Sequence, residues 1–96
     1  MSAPVPIDLD RFAGMIAGGA EFLRVWMRPD GATACFLNPV PVGADPALFG
    51  AAMTDVVRTA ARTYAAAVDI AEAEAEARIW QGLDAARITI PSEKDD

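Results

Sequence analysis

Apolar and polar positions alternate with two different periods along the chain. A period of two runs through Glu21–Asn38, EFLRVWMRPDGATACFLN. Its centre is Arg28-Pro29-Asp30-Gly31, with Pro at the second turn position, Asp able to bond local backbone, and Gly free to take a positive φ. That chemistry predicts a type I turn with a glycine bulge, hence a β-hairpin. The predicted register pairs Met27 with Thr33, Trp26 with Ala34, Val25 with Cys35, Arg24 with Phe36, Leu23 with Leu37 and Phe22 with Asn38. One face then holds Leu23, Val25, Met27, Thr33, Cys35 and Leu37, and is expected to turn inward onto helices. The opposite face holds Phe22, Arg24, Trp26, Arg28, Ala32, Ala34, Phe36 and Asn38. Two Phe and a Trp are unusual on a solvated face, and a one-residue slip would exchange the two sets.

A helical period follows. Pro39–Asp45 carries two prolines and a glycine, which suits an extended connection. Asp45 as N-cap and Pro46 at the first helical position start a helix running to about Ala67, roughly 33 Å long. Phe49, Met53, Val56, Ala60 and Tyr64 form its apolar stripe, with Ala52, Val57 and Ala61 beside them. Asp69-Ile70-Ala71-Glu72 matches a capping box with Asp in place of Ser or Thr. A break is therefore expected near Val68–Asp69 and a second helix from Ile70, anchored by Ile79, Trp80 and Leu83. The alternative is one continuous helix to about Ala86. Ile88–Ile90 is expected to be extended and Pro91 to stop it, and residues 92–96 read as a disordered acidic tail. Upstream, Pro4 and Pro6 imply an extended start. Asp8–Ala17 has the composition of a short helix, capped by Asp8 or Asp10 and ended by Gly18-Gly19. The fold class is α+β: one small domain over residues 1–91, a hairpin on two antiparallel helices, with that short N-terminal helix as an optional addition.

Composition narrows the function more than it names it. The 96 residues are 53% hydrophobic, but alanine supplies much of that, so the core rests on few large side chains. A net charge of −6 argues against nucleic acid and against an anionic membrane surface. No apolar run reaches spanning length, and the first residues lack a basic region ahead of an apolar one, so a cytoplasmic protein is expected. There is no histidine, which removes the usual general base and the commonest metal ligand. The one cysteine, Cys35, lies on the face expected to be inward, where a thiol is buried and inert. Glu72, Glu74 and Glu76 alternate, so only Glu72 and Glu76 share a helix face. No catalytic residue, metal site or cofactor is expected, and the chain reads as a non-enzyme.

Two binding surfaces remain. A two-stranded ribbon is marginal alone and has open edges. Its Phe22/Trp26/Phe36 face, with Arg24 at the rim, has the residue types of an interface. A homodimer through Phe22, Arg24, Trp26 and Phe36 is expected, unless Asp8–Ala17 folds over that face within one chain. Arg58 and Arg62, one helical turn apart, offer an alternative role in holding an acidic small molecule in a pocket between sheet and helices. Pairing of Asp55 with Arg58 competes with it.

The positions Leu23-Arg24-Val25-Trp26, Asp45-Pro46 with Phe49-Gly50, Asp55-x-x-Arg58, Ala61, Tyr64, Arg78-Ile79 and Gly82-Leu83-Asp84-Ala85 together carry a resemblance. Over Glu21–Arg87 the chain resembles a family of small uncharacterised bacterial single-domain proteins of about this length, a domain of unknown function. The resemblance implies no activity and brings no catalytic residues. The leading expectation is a self-associating scaffold or regulatory module.

Overall fold

The computed structural model describes residues 3–89. The acidic tail, Pro91 and Ile90 lie outside them. The architecture is α+β, with a two-stranded antiparallel sheet and helices. The chain divides into two compact units, Met1–Pro41 and Val42–Asp96, and each has its own internal logic.

In the first unit a stretch that is neither helix nor strand leads into a 3-10 turn, Asp10–Phe12, which runs on into a single helical turn, α1, Ala13–Ile16. The Asp8 carboxylate accepts from the Asp10 N–H at 3.0 Å, a local side-chain bond, but Leu9 and Phe12 hold the N-cap positions without a side-chain cap, so neither Asp8 nor Asp10 is the expected cap. Gly18, at φ 78, ends the segment. Strands β1, Leu23–Met27, and β2, Thr33–Leu37, pair in the register set out above. The turn is the predicted one. The Gly31 N–H reaches the Arg28 carbonyl at 2.9 Å and the Arg28 N–H reaches Ala32 at 2.8 Å. The Asp30 carboxylate accepts from the Ala32 N–H at 3.0 Å. Gly31 sits at φ 88, where a Cβ would be strained.

The second unit is a helical hairpin. Helix α2 spans Pro46–Val68, and Asp45 caps it by accepting from the Ala47 N–H at 3.0 Å. Helix α3 spans Glu72–Thr89 and packs on α2, so two helices form rather than one. The break has a different cause from the predicted capping box. Asp69 adopts a left-handed conformation, φ 58 and ψ 54, and its own N–H closes α2 onto the Ala65 carbonyl. Asp69 thus ends one helix instead of starting the next. At the far end, Ile88 is helical rather than extended. Gly82 costs helix stability, but tertiary packing and the run of good helix formers around it carry α3 past it.

The buried part of the contact between the helices runs along the flank of the predicted stripe rather than its centre. Among the described residues Val57, Ala61 and Ala75 are buried, Ala61 with 0% exposure, while Tyr64 is 57% exposed. Two of these three buried positions are alanines, and larger side chains, Met53, Val56, Ile79, Trp80 and Leu83, line the groove beside them.

Candidate functional site

The ribbon's aromatic face is a groove. Phe22, Arg24, Trp26 and Phe36 line it, with Glu21 and Asn38 at its ends, and its volume is about 480 Å³. The alternation of the strands puts these four predicted residues on one side, and the tight turn fixes which side. Trp26 stands opposite Ala34 and Arg24 opposite Phe36. The small Ala34 leaves room beside the indole. Phe22 and Trp26 are half-buried, and Phe36 is 61% exposed.

Arg24 is the polar element of the groove. Its guanidinium holds the Glu21 carboxylate with two bonds, Nε to Oε2 at 3.0 Å and Nη2 to Oε1. Those charge-assisted bonds hold the Glu21 carboxyl below its ordinary 4.5, and the same bonds raise Arg24. Both side chains are more than half exposed, so the pair orients Arg24 and adds little to stability. Neither the 3-10 turn nor α1 packs on the strands among the described residues. The segment that could have closed over this face within one chain therefore leaves it open.

Cys35 corrects an expectation: it is free and exposed. Its neighbours on that face, Val25, Met27 and Leu37, are also exposed. Within its own unit a two-stranded ribbon has no second layer to bury them. The thiol donates a long hydrogen bond to the Thr33 hydroxyl at 4.0 Å, which supplies no base.

In the helical unit, a mostly apolar groove of about 490 Å³ runs between α2 and α3, lined by Met53, Val56, Ile79, Trp80 and Leu83 with Arg87 at its end. Arg58 and Arg62 do not line it. Arg58 pairs with Asp55 at 3.9 Å, and Arg62 donates to the Thr59 hydroxyl at 3.3 Å. The acidic run of α3 is likewise occupied: Glu74 takes Arg78, and Glu76 accepts from the Trp80 indole N–H at 3.2 Å. Among the described residues no group of three or more candidate metal ligands occurs, and no helix is long and apolar enough to cross a membrane. Sequence reasoning placed Trp80 between the helices but did not foresee Arg87 there. Only the i,i+4 spacing from Leu83 pointed to it.

Comparison with known proteins gives a family and no activity. A solved structure described as "Structure of a putative pyruvate dehydrogenase from the photosynthetic bacterium Rhodopseudomonas palustrus CGA009" is 28% identical. The alignment covers 90% of this chain and 96% of that one, with a TM-score of 0.60. None of the curated proteins matches. The family model described as Domain of unknown function (DUF5076) matches residues 11–90, and the chain belongs to that family.

Proposed function

We propose that this chain is a non-enzymatic cytoplasmic module that self-associates, serving as a small scaffold or regulatory subunit, and that Phe22, Arg24, Trp26 and Phe36 form its contact surface. The observation that carries this reading is the open aromatic groove on the ribbon. Exposed area of this composition is typical of association surfaces, and Trp, Phe and Arg are the residues that most often anchor them. A two-fold dimer is favoured because a self-complementary patch closes on itself and leaves no surface to propagate. Arg24 arrives already neutralised by Glu21, so two copies can meet there without repulsion between like charges.

The helical groove supports a second reading, a binder of small molecules. Its volume falls in the range of ligand sites, roughly 300–1,000 Å³, and the cation at its end is Arg87, for which an acidic group would compete with Asp84, paired with it at 3.3 Å. Native mass spectrometry of freshly purified protein tests it through the mass of any retained compound. This reading differs from the description of the similar structure as a putative pyruvate dehydrogenase. With no histidine and a cysteine without a nearby base, the groups usual for acid–base and nucleophilic steps are lacking.

Multi-angle light scattering behind a sizing column tests the main reading. The expected species is a dimer that Trp26→Glu converts to monomer with its circular dichroism unchanged. A wild-type chain that remains monomeric at high micromolar concentration refutes it.

A further inference from the structure

Among the described residues the outer edge of β1 is unpaired, and the chain carries a segment shaped for it. The Asn38 N–H bonds the Phe22 carbonyl, and the Arg28 N–H bonds Ala32. The even-numbered residues of β1 therefore point their backbone groups at β2. By the alternation of an antiparallel ladder, the N–H and C=O of Leu23, Val25 and Met27 point outward along an open edge.

The first residues have the complementary pattern. Val5, Ile7 and Leu9 alternate with Pro4, Pro6 and Asp8. In an extended strand all the missing N–H groups, at the prolines, fall on one edge, and the donors of Val5, Ile7 and Leu9 fall on the other. Prolines placed this way suit an edge strand that pairs on one side only. In the structure this segment is in neither helix nor strand, with Val5 86% and Ile7 83% exposed, and Leu9, at φ −108 and ψ 10, already turns toward the 3-10 turn. The chain's own segment is thus not seated on its own ribbon.

We propose that residues Val5–Leu9 of one copy add antiparallel to the open edge of β1 in a second copy, which returns the same contact. This rests on the self-association proposed above and says how the two copies are joined. The register pairs Val5 with Met27, Ile7 with Val25 and Leu9 with Leu23. Leu9 closes the added strand and offers only its N–H, because at ψ 10 it leaves the extended region and its carbonyl accepts from the Phe12 N–H at 2.8 Å. Side chains directly opposite share a face, so Val5, Ile7 and Leu9 widen the face of Leu23, Val25 and Met27. On the aromatic side, Pro6 falls beside Trp26 and Asp8 beside Arg24. The guanidinium has five N–H donors, enough for Glu21 and for Asp8 of the second copy. Moving the register by two residues puts Asp8 against Trp26 and loses that match. Reciprocal exchange covers the β1 edge of both copies at once and closes the pair.

Cysteine cross-linking tests this. Ile7→Cys and Val25→Cys are made separately, each with Cys35→Ser, and mixed before mild oxidation. Both positions are substantially exposed, so folding is retained, and circular dichroism checks it. The expected product is a disulfide between one chain of each kind, in clear excess over the same mixture made with Met27→Cys in place of Val25→Cys. A second variant, Ile7→Asp, is expected to weaken the dimer about tenfold or more, from the lost burial of one aliphatic side chain. No mixed disulfide, or one no more abundant than with Met27→Cys, overturns the exchange, as does an unchanged dissociation constant for Ile7→Asp. If the exchange fails while the wild-type mass remains that of a dimer, self-association stands without it. A monomeric wild type removes both.

Discussion

Asp69 is the most informative single position for stability. It is the one residue other than glycine at positive φ among the described residues. Holding a side chain there costs about 1–2 kcal/mol relative to the right-handed region, less for Asp than for most. Asp69→Gly removes that cost. It gives back about 0.4–1 kcal/mol through the freer unfolded chain. It also removes a negative charge from the C-terminus of α2, where the helix dipole disfavours it by about 0.3–1 kcal/mol. The net expectation is a gain of about 1 kcal/mol, or about 4–8 °C in Tm for a chain of this size. Asp69→Asn should keep most of the gain, because Asn tolerates this conformation and carries no charge. Asp69→Val should lose stability by a similar amount, since branching at Cβ suits this region least. Thermal melts followed at the helical circular dichroism band read all three at a fixed protein concentration. Repeating them at high salt should shrink the charge part and leave the conformational part. A lower Tm for Asp69→Gly, or an unmoved Tm for Asp69→Val, refutes the assignment of Asp69 as a strained helix stop.

Three further perturbations test other parts of the account. Gly43 lies at φ 123, and a Cβ there would sit 2.8 Å from the Leu48 Cδ1. Gly43→Ala should therefore lower the chemical-denaturation midpoint, and adding Leu48→Ala should relieve the clash without restoring the full loss. The Glu21 carboxyl should titrate below 4.5 by NMR and return toward it in Arg24→Gln. A depressed carboxylate stabilises the fold above its unfolded pKa, and that contribution is lost as pH falls through the folded value. Glu21→Gln should accordingly flatten only the acid limb of the stability profile. Cys35 is exposed, so a thiol reagent should label it in the native protein at a rate close to that in denaturant. Strong protection would contradict the open ribbon face.

What the sequence made readable followed from residues with narrow backbone chemistry. Pro29, Asp30 and Gly31 dictated the turn, and one turn set the whole register of β1 on β2. Asp45-Pro46 marked the start of α2 in the same way. The misreadings came where several chemistries compete for one pattern. Asp69-Ile70-Ala71-Glu72 satisfies a capping box on paper, yet Asp also tolerates the left-handed region, and ending α2 took precedence. The most buried positions of α2, Val57 and Ala61, were placed only beside the main stripe, because a hydrophobic stripe weights large side chains and Ala61 is small. Cys35 was expected inside because its face is apolar, but an apolar face is buried only where another layer meets it. The four residues of the aromatic groove were readable because strand alternation and turn type together leave no freedom. The alternation of Val5, Ile7 and Leu9 with two prolines was equally plain, but its meaning depends on knowing which edge of the ribbon is open.

The central claim is that the aromatic face of the ribbon is covered by a second copy of the chain. Sedimentation velocity across a concentration series, with wild type and Trp26→Glu run side by side, addresses it most directly. The account predicts a wild-type species of twice the 10.1 kDa chain mass and a folded Trp26→Glu species of the single-chain mass. A wild type that sediments as one chain throughout, or a Trp26→Glu variant that dimerises as well as wild type, contradicts it.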